Sequence, residues 1–173
     1  MPLPLDDHHL MDLALEQARQ ALAAGEFPVG CVVADDRRVL ASAGRRGSRG
    51  PAPSELDHAE IIALRRLDAL AEPAARGRLT LVTTLEPCLM CYGAILLAGI
   101  GRIVYAYEDV MGGGTGCPLD RLPPLYGQRA AEIRAGVRRT EALALFHAFF
   151  ADPDNGYWRQ SLLAGYTLAQ APG

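Results

Sequence analysis

Apolar and polar positions alternate between a helical period and short continuous apolar runs, and these changes divide the chain into elements. Residues 12–24 (D-L-A-L-E-Q-A-R-Q-A-L-A-A) have the composition of an amphipathic helix, with Gly25 as its stop. Residues 28–34 (P-V-G-C-V-V-A) are a short β-branched run. D-D-R-R follows as a turn and 39–43 as a partner strand, so the segment predicts a hairpin. Residues 44–53 read as a loop. Residues 58–70 return to helical spacing, with Asp57 as a candidate N-cap.

A strand is predicted over 79–85. Pro87 then opens a helix to about Ala98, proline being favoured at a first helical position. Residues 102–107 form a fourth strand, and the glycine-rich stretch 111–116 begins a long loop through Pro123 and Pro124. Residues 133–137 give a short fifth strand and 140–150 a helix. D-P-D-N-G at 152–156 breaks that helix, and 157–168 reads as a terminal helix. Strands alternating with helices predict an α/β layered sheet, and the opening hairpin makes it mixed rather than purely parallel.

Length and composition narrow this picture. The 173 residues suit one domain over 1–173, with a core at about 7–150 and a C-terminal extension at about 151–173. No apolar run approaches the ~20 residues that a membrane span needs. The N-terminus has neither a basic region nor a long apolar core, so no signal peptide is expected. A cytoplasmic protein with no membrane partner is the expectation. The net charge is −3 and all 17 basic residues are arginine. Such a balance gives no general pull toward nucleic acid, although Arg37-Arg38, Arg45-Arg46-Arg49 and Arg138-Arg139 offer a local basic strip.

The four cysteines carry more information. They are too sparse for a disulfide framework, which belongs to smaller, cysteine-dense secreted domains. Cys88 and Cys91 are three apart in L-E-P-C-L-M-C-Y. Redox use of such a pair expects a position after the first strand, whereas this one follows the third. A closed structural zinc site needs two further ligands, and neither Cys31 nor Cys117 has a partner at ligand spacing. Three protein ligands plus water remain. D-H-A-E supplies His58 at the start of one predicted helix, and Cys88 and Cys91 start another. Residues i and i+3 share a helix face, and two helix N-termini favour the thiolate form. His58, Cys88 and Cys91 are therefore the expected ligands of a catalytic Zn2+, with Glu60 beside the metal as proton carrier.

At these residues the chain resembles the cytidine and deoxycytidylate deaminase superfamily, whose zinc base deaminases carry H-x-E…P-C-x-x-C. F-P-V-G-C-V-V, H-A-E-I-I-A-L, T-L-E-P-C-L-M-C-Y-G-A-I and I-G-R-I-V-Y-A most resemble tRNA-specific adenosine deaminases and bacterial guanine deaminases. The resemblance implies a three-layer α/β/α sandwich with a five-stranded mixed sheet, a homodimer, and hydrolytic deamination. It also nominates Val29, Arg45, Leu85, Glu86 and Asp109 as substrate contacts.

The likeness is incomplete where substrate is read. Many relatives have an asparagine after the second strand; here the stretch is A-G-R-R, with Arg45 the nearest substitute. Arginine donates hydrogen bonds and cannot accept them, so it suits a phosphate or carboxylate, or simple solvation. S-E-L-D replaces the D-P-T-A found before H-A-E in many relatives, and no basic tail follows Phe150. Tyr157 and Trp158 are expected to pack on the core, with covering the pocket or stacking a base as alternatives. The expected substrate is an amino-substituted nucleobase, nucleoside or nucleotide, with adenosine in tRNA as the alternative. A non-catalytic zinc-binding pseudo-deaminase is the third reading.

Overall fold

A computed structural model describes residues 5–70 and 75–172; the first residues of the stretch inspected for a leader lie outside them. Five strands form one sheet in the order β2-β1-β3-β4-β5: β1 (Gly30–Ala34), β2 (Val39–Gly44), β3 (Thr80–Leu85), β4 (Arg102–Tyr107) and β5 (Glu132–Arg134). β1 pairs antiparallel with both β2 and β3, while β3–β4 and β4–β5 are parallel, so the sheet is mixed. β1 and β3 are buried almost throughout, as expected of strands covered on both faces, and the edge strand β5 is exposed.

Helices cover both faces. α1 (Asp7–Ala23) lies on β1, β2 and β3 and packs with α5 (Arg139–Ala151), which carries α6 (Leu162–Leu168). On the other side α2 (Ala59–Asp68) lies on β1 and β2 and packs with α3 (Leu89–Leu97), beside which sits the short α4 (Pro124–Gly127). The result is the three-layer α/β/α sandwich with a five-stranded mixed sheet that the resemblance implies. No helix among the described residues is long and apolar enough to cross a membrane.

Several boundaries differ from the pattern-based expectations, each for a local reason. α1 begins at Asp7, not residue 12, because Asp6 accepts a 2.7 Å hydrogen bond from the His9 amide and caps the helix. It ends as expected, with Gly25 in the left-handed region at φ 74°. Asp57 is not the cap of α2: His58 occupies that position, with extended φ/ψ of −66° and 148°. Pro87 likewise does not open α3, since Cys88 is the N-cap. Proline and cysteine stay extended because Pro87 O accepts from the Gly114 amide at 2.8 Å and Cys88 pairs with Gly113.

The loop after β4 contains a 3-10 turn (Leu119–Arg121) as well as α4. β5 stops at Arg134 instead of 137, before the left-handed Gly136 and Arg138. The terminal helix begins at Leu162 rather than 157. Trp158 is left-handed at φ 51°, and the Ser161 hydroxyl accepts from the Ala164 amide at 3.1 Å to start the helix there.

Candidate active site

Two helix starts meet at the carboxyl end of β3. The N-cap geometry that moved the start of α2 aims the His58 imidazole at Cys88 and Cys91. His58 Nδ1 lies 3.6 Å from Cys88 Sγ and 3.4 Å from Cys91 Sγ, and all three donor atoms fall within 4.8 Å of one another. Zn–S bonds of about 2.3 Å and a Zn–N bond of about 2.0 Å at tetrahedral angles put nitrogen and sulfur about 3.6 Å apart. The donor set therefore fits zinc in spacing and in chemistry.

Without metal the three donors share protons. A hydrogen bond with Cys91 pulls the Cys88 thiol down to about 4, with His58 contributing in the same direction. The same bond, with burial, pushes the Cys91 thiol far up. Burial works against a charged His58, but its bond to Cys88 and the nearby Glu60 and Cys88 charges leave it raised. Zinc binding needs both sulfurs as thiolates and a neutral imidazole, so metal loading releases the protons that Cys91 and His58 hold.

Glu60, in the first turn of α2, is buried beside this cluster. Its Oε1 accepts from Thr83 Oγ1 at 3.1 Å, and Oε2 lies 3.7 Å from Cys91 Sγ. Burial raises its pKa, partly opposed by the His58 charge. Thr83 went unnoticed in the sequence. The available signal was a polar residue in the middle of a strand buried on both sides, whose hydroxyl needs a partner.

A pocket opens on this group, mostly apolar in lining. It is bordered by His58, Glu60 and Cys88 and by all five nominated contacts, Val29, Arg45, Leu85, Glu86 and Asp109. Asp109 Oδ1 accepts from the Met111 and Gly112 amides at 3.0 and 2.9 Å, while Oδ2 makes no hydrogen bond among the described residues. Glu86 accepts from the Asp109 amide at 3.2 Å and from the Thr115 hydroxyl. Burial raises the Asp109 pKa, against the pull of those two amides.

Arg45 is buried rather than solvated, at 3% exposure. Its Nη1 donates to Arg46 O at 2.7 Å, and Nη2 donates to Ser54 O and, at 3.4 Å, to Tyr157 Oη. Tyr157 and Trp158 both pack on the core and border the cavity. Cys31 is fully buried in β1, and Cys117 is half-buried away from the cavity.

A histidine and two cysteines at zinc spacing, with a buried carboxylate facing the same cavity, reproduce the H-x-E…P-C-x-x-C arrangement of zinc base deaminases. The chain belongs to the cytidine and deoxycytidylate deaminase family, whose zinc-binding region matches residues 4–107. Among similar proteins, a tRNA-specific adenosine deaminase of Agrobacterium fabrum is 34% identical over 149 residues, covering 83% of this chain and 93% of that one. A tRNA(Ile)-lysidine synthase of Deinococcus radiodurans is 39% identical over 151 residues, or 87% of this chain. The chain spans only about a quarter (26%) of that relative's length. A solved tRNA:A34 deaminase superposes with a TM-score of 0.62 at 35% identity, covering 74% of this chain and 97% of its own. A guanine deaminase from Nitrosomonas europaea gives 0.63 at 26% identity, covering 86% of each chain.

Proposed function

We propose that this protein hydrolyses the exocyclic amine of a small, neutral nucleobase or nucleoside, releasing ammonia. One observation carries the choice of substrate: among the described residues, nothing in the cavity lining is placed to meet a phosphate. Apart from His58 the one cation there among the described residues is Arg45, and both its Nη atoms are spent on carbonyls and a phenol. The wall instead holds Asp109, whose Oδ2 accepts no hydrogen bond among the described residues and can take an N–H donor of the kind a base edge presents. The adjoining surface groove carries Glu55, Asp152 and Asp154 against a single arginine, Arg49, which suits a polyanion poorly.

Zinc held by His58, Cys88 and Cys91 would supply Lewis-acid activation of water near neutral pH. Glu60 is the proton carrier. Its carboxylate takes a proton from water, passes it to the ring nitrogen next to the amine-bearing carbon, and takes the second proton to the leaving nitrogen. Water's oxygen ends on the ring carbon, the C–N bond breaks, and nitrogen leaves as ammonia. Thr83 fixes Oε1, leaving the carboxylate one orientation in which to work.

Deamination of adenosine in tRNA is the second reading, favoured by the identity to tRNA-specific adenosine deaminases across most of both chains. Ammonia release from zinc-loaded protein, measured against free bases, nucleosides, nucleotides and tRNA, separates the two. Activity on tRNA alone would overturn the first.

A homodimer is part of the same proposal. Leu89, Leu97, Leu122 and Leu125 are exposed around an apolar groove between α3 and α4, where a second copy would bury them.

A further inference from the structure

The site has a feature that the deaminase chemistry does not use. We infer that Arg45, Glu55 and Tyr157 form a latch holding Trp158 as a wall of the catalytic cavity, and that this wall restricts the site to free bases, excluding a ring that carries ribose. This rests on the small-molecule reading and narrows it.

The latch begins with a charge that cannot be neutralised. A guanidinium stays protonated, and burying it is costly unless its N–H groups are bonded. Arg45 meets this requirement with two main-chain carbonyls of the loop after β2 and with the Tyr157 phenol. Its guanidinium carbon also lies 5.7 Å from the centre of the Tyr157 ring. The phenol in turn donates to Glu55 Oε2 at 2.8 Å. Cation, phenol and carboxylate thus run in series, tying the segment after α5 to the loop that precedes α2. Burial, with the Glu55 charge, pushes Tyr157 up to about 12 against the pull of Arg45, so it remains a donor across the working pH range.

Trp158 is what the latch holds. Its φ of 51° is an uncommon conformation for a bulky residue and costs on the order of 1–3 kcal/mol. Stacking offsets part of this: the Trp158 and Tyr157 rings lie 4.8 Å apart at 14°, and Phe27 is 5.9 Å from Trp158. Both aromatic residues border the catalytic cavity and also the open outer groove. They are therefore the partition between the two spaces. A ribose projecting from the ring toward the groove would meet the volume these side chains fill. The indole also gives a planar ring a face to stack on.

Trp158 is the chain's single tryptophan, so its fluorescence reports on the partition directly. Zinc-loaded Glu60→Gln protein would be titrated with guanine, adenine, cytosine and their nucleosides. The expected result is saturable quenching by one free base, at least about tenfold tighter than by its nucleoside, a difference of about 1.4 kcal/mol. In ammonia release, Tyr157→Phe, Glu55→Gln and Trp158→Ala should each lower the base-to-nucleoside preference, Trp158→Ala by about tenfold and through KM more than kcat. Trp158→Phe should restore much of it. A wild-type protein that acts only on nucleosides or tRNA overturns the small-base reading and the latch together. A wild type that prefers a free base, with that preference unmoved in Tyr157→Phe and Trp158→Ala, overturns the latch alone.

Discussion

At the scale of single residues the site depends on a few buried polar groups, each held by a named partner. Glu60→Gln keeps the shape of the carboxylate and removes its proton traffic. Ammonia release should fall by at least about 100-fold, with zinc content by metal analysis unchanged. Thr83→Val removes the hydroxyl that fixes Glu60 Oε1 and should lower kcat about tenfold, while Thr83→Ser restores it. Far from the cavity, Asp7 is held below its ordinary value of 3.8 by hydrogen bonds from Arg102, at 2.5 and 2.8 Å, and by Arg134. A depressed carboxylate contributes stability that is complete above its unfolded pKa and lost as pH falls through the folded one. Asp7→Asn should therefore melt below wild type at pH 7, by about 1–3 kcal/mol, and the gap should start to close near pH 4.

At the scale of elements, what the sequence made legible depended on how local each cause was. The hairpin, β4 and the centre of every long helix follow from apolar spacing, because burial of one face decides them. Helix starts follow from geometry that spacing does not contain. His58 and Cys88 are extended N-caps, Cys88 held so by its pairing with Gly113, and the two helices begin one and two residues late. The metal ligands were readable because chemistry restricts their types; the Arg45–Tyr157–Glu55 contact was not, because it joins positions 112 and 102 residues apart. Phe27 shows the same limit. Its ring centre lies 5.3–5.9 Å from those of Phe146, Phe149, Phe150, Tyr157 and Trp158, joining the cavity wall to α5. Phe27→Ala should destabilise the fold by about 3–5 kcal/mol in denaturant titration and weaken substrate binding as well.

For the whole molecule, the metal couples two helices on one face of the sheet, so zinc should stabilise the fold as well as activate water. Removing it with a chelator should lower stability by about 4 kcal/mol if loading had reached about 1,000 times Kd, read as a drop in the thermal midpoint that zinc restores. The exposed leucines of α3 and α4 should place the protein at dimer mass in sedimentation, with Leu97→Glu plus Leu125→Glu shifting it to monomer.

The pairing of Cys88 with Gly113 bears on how such a site can change its diet over generations. A methyl group on Gly113 would meet Glu86 Oε2 at 2.5 Å, and one on Gly114 would meet the Leu89 backbone at 2.7 Å. The glycine loop is thus pressed against the main chain that presents a metal ligand, and variation there would be paid for in zinc. Among the described residues no hydrogen bond joins the partition at 157–158 to His58, Cys88 or Cys91. Drift toward new substrates has an open route through the C-terminal segment and a closed one through the loop, and a library diversified at both should yield its altered specificities from the first.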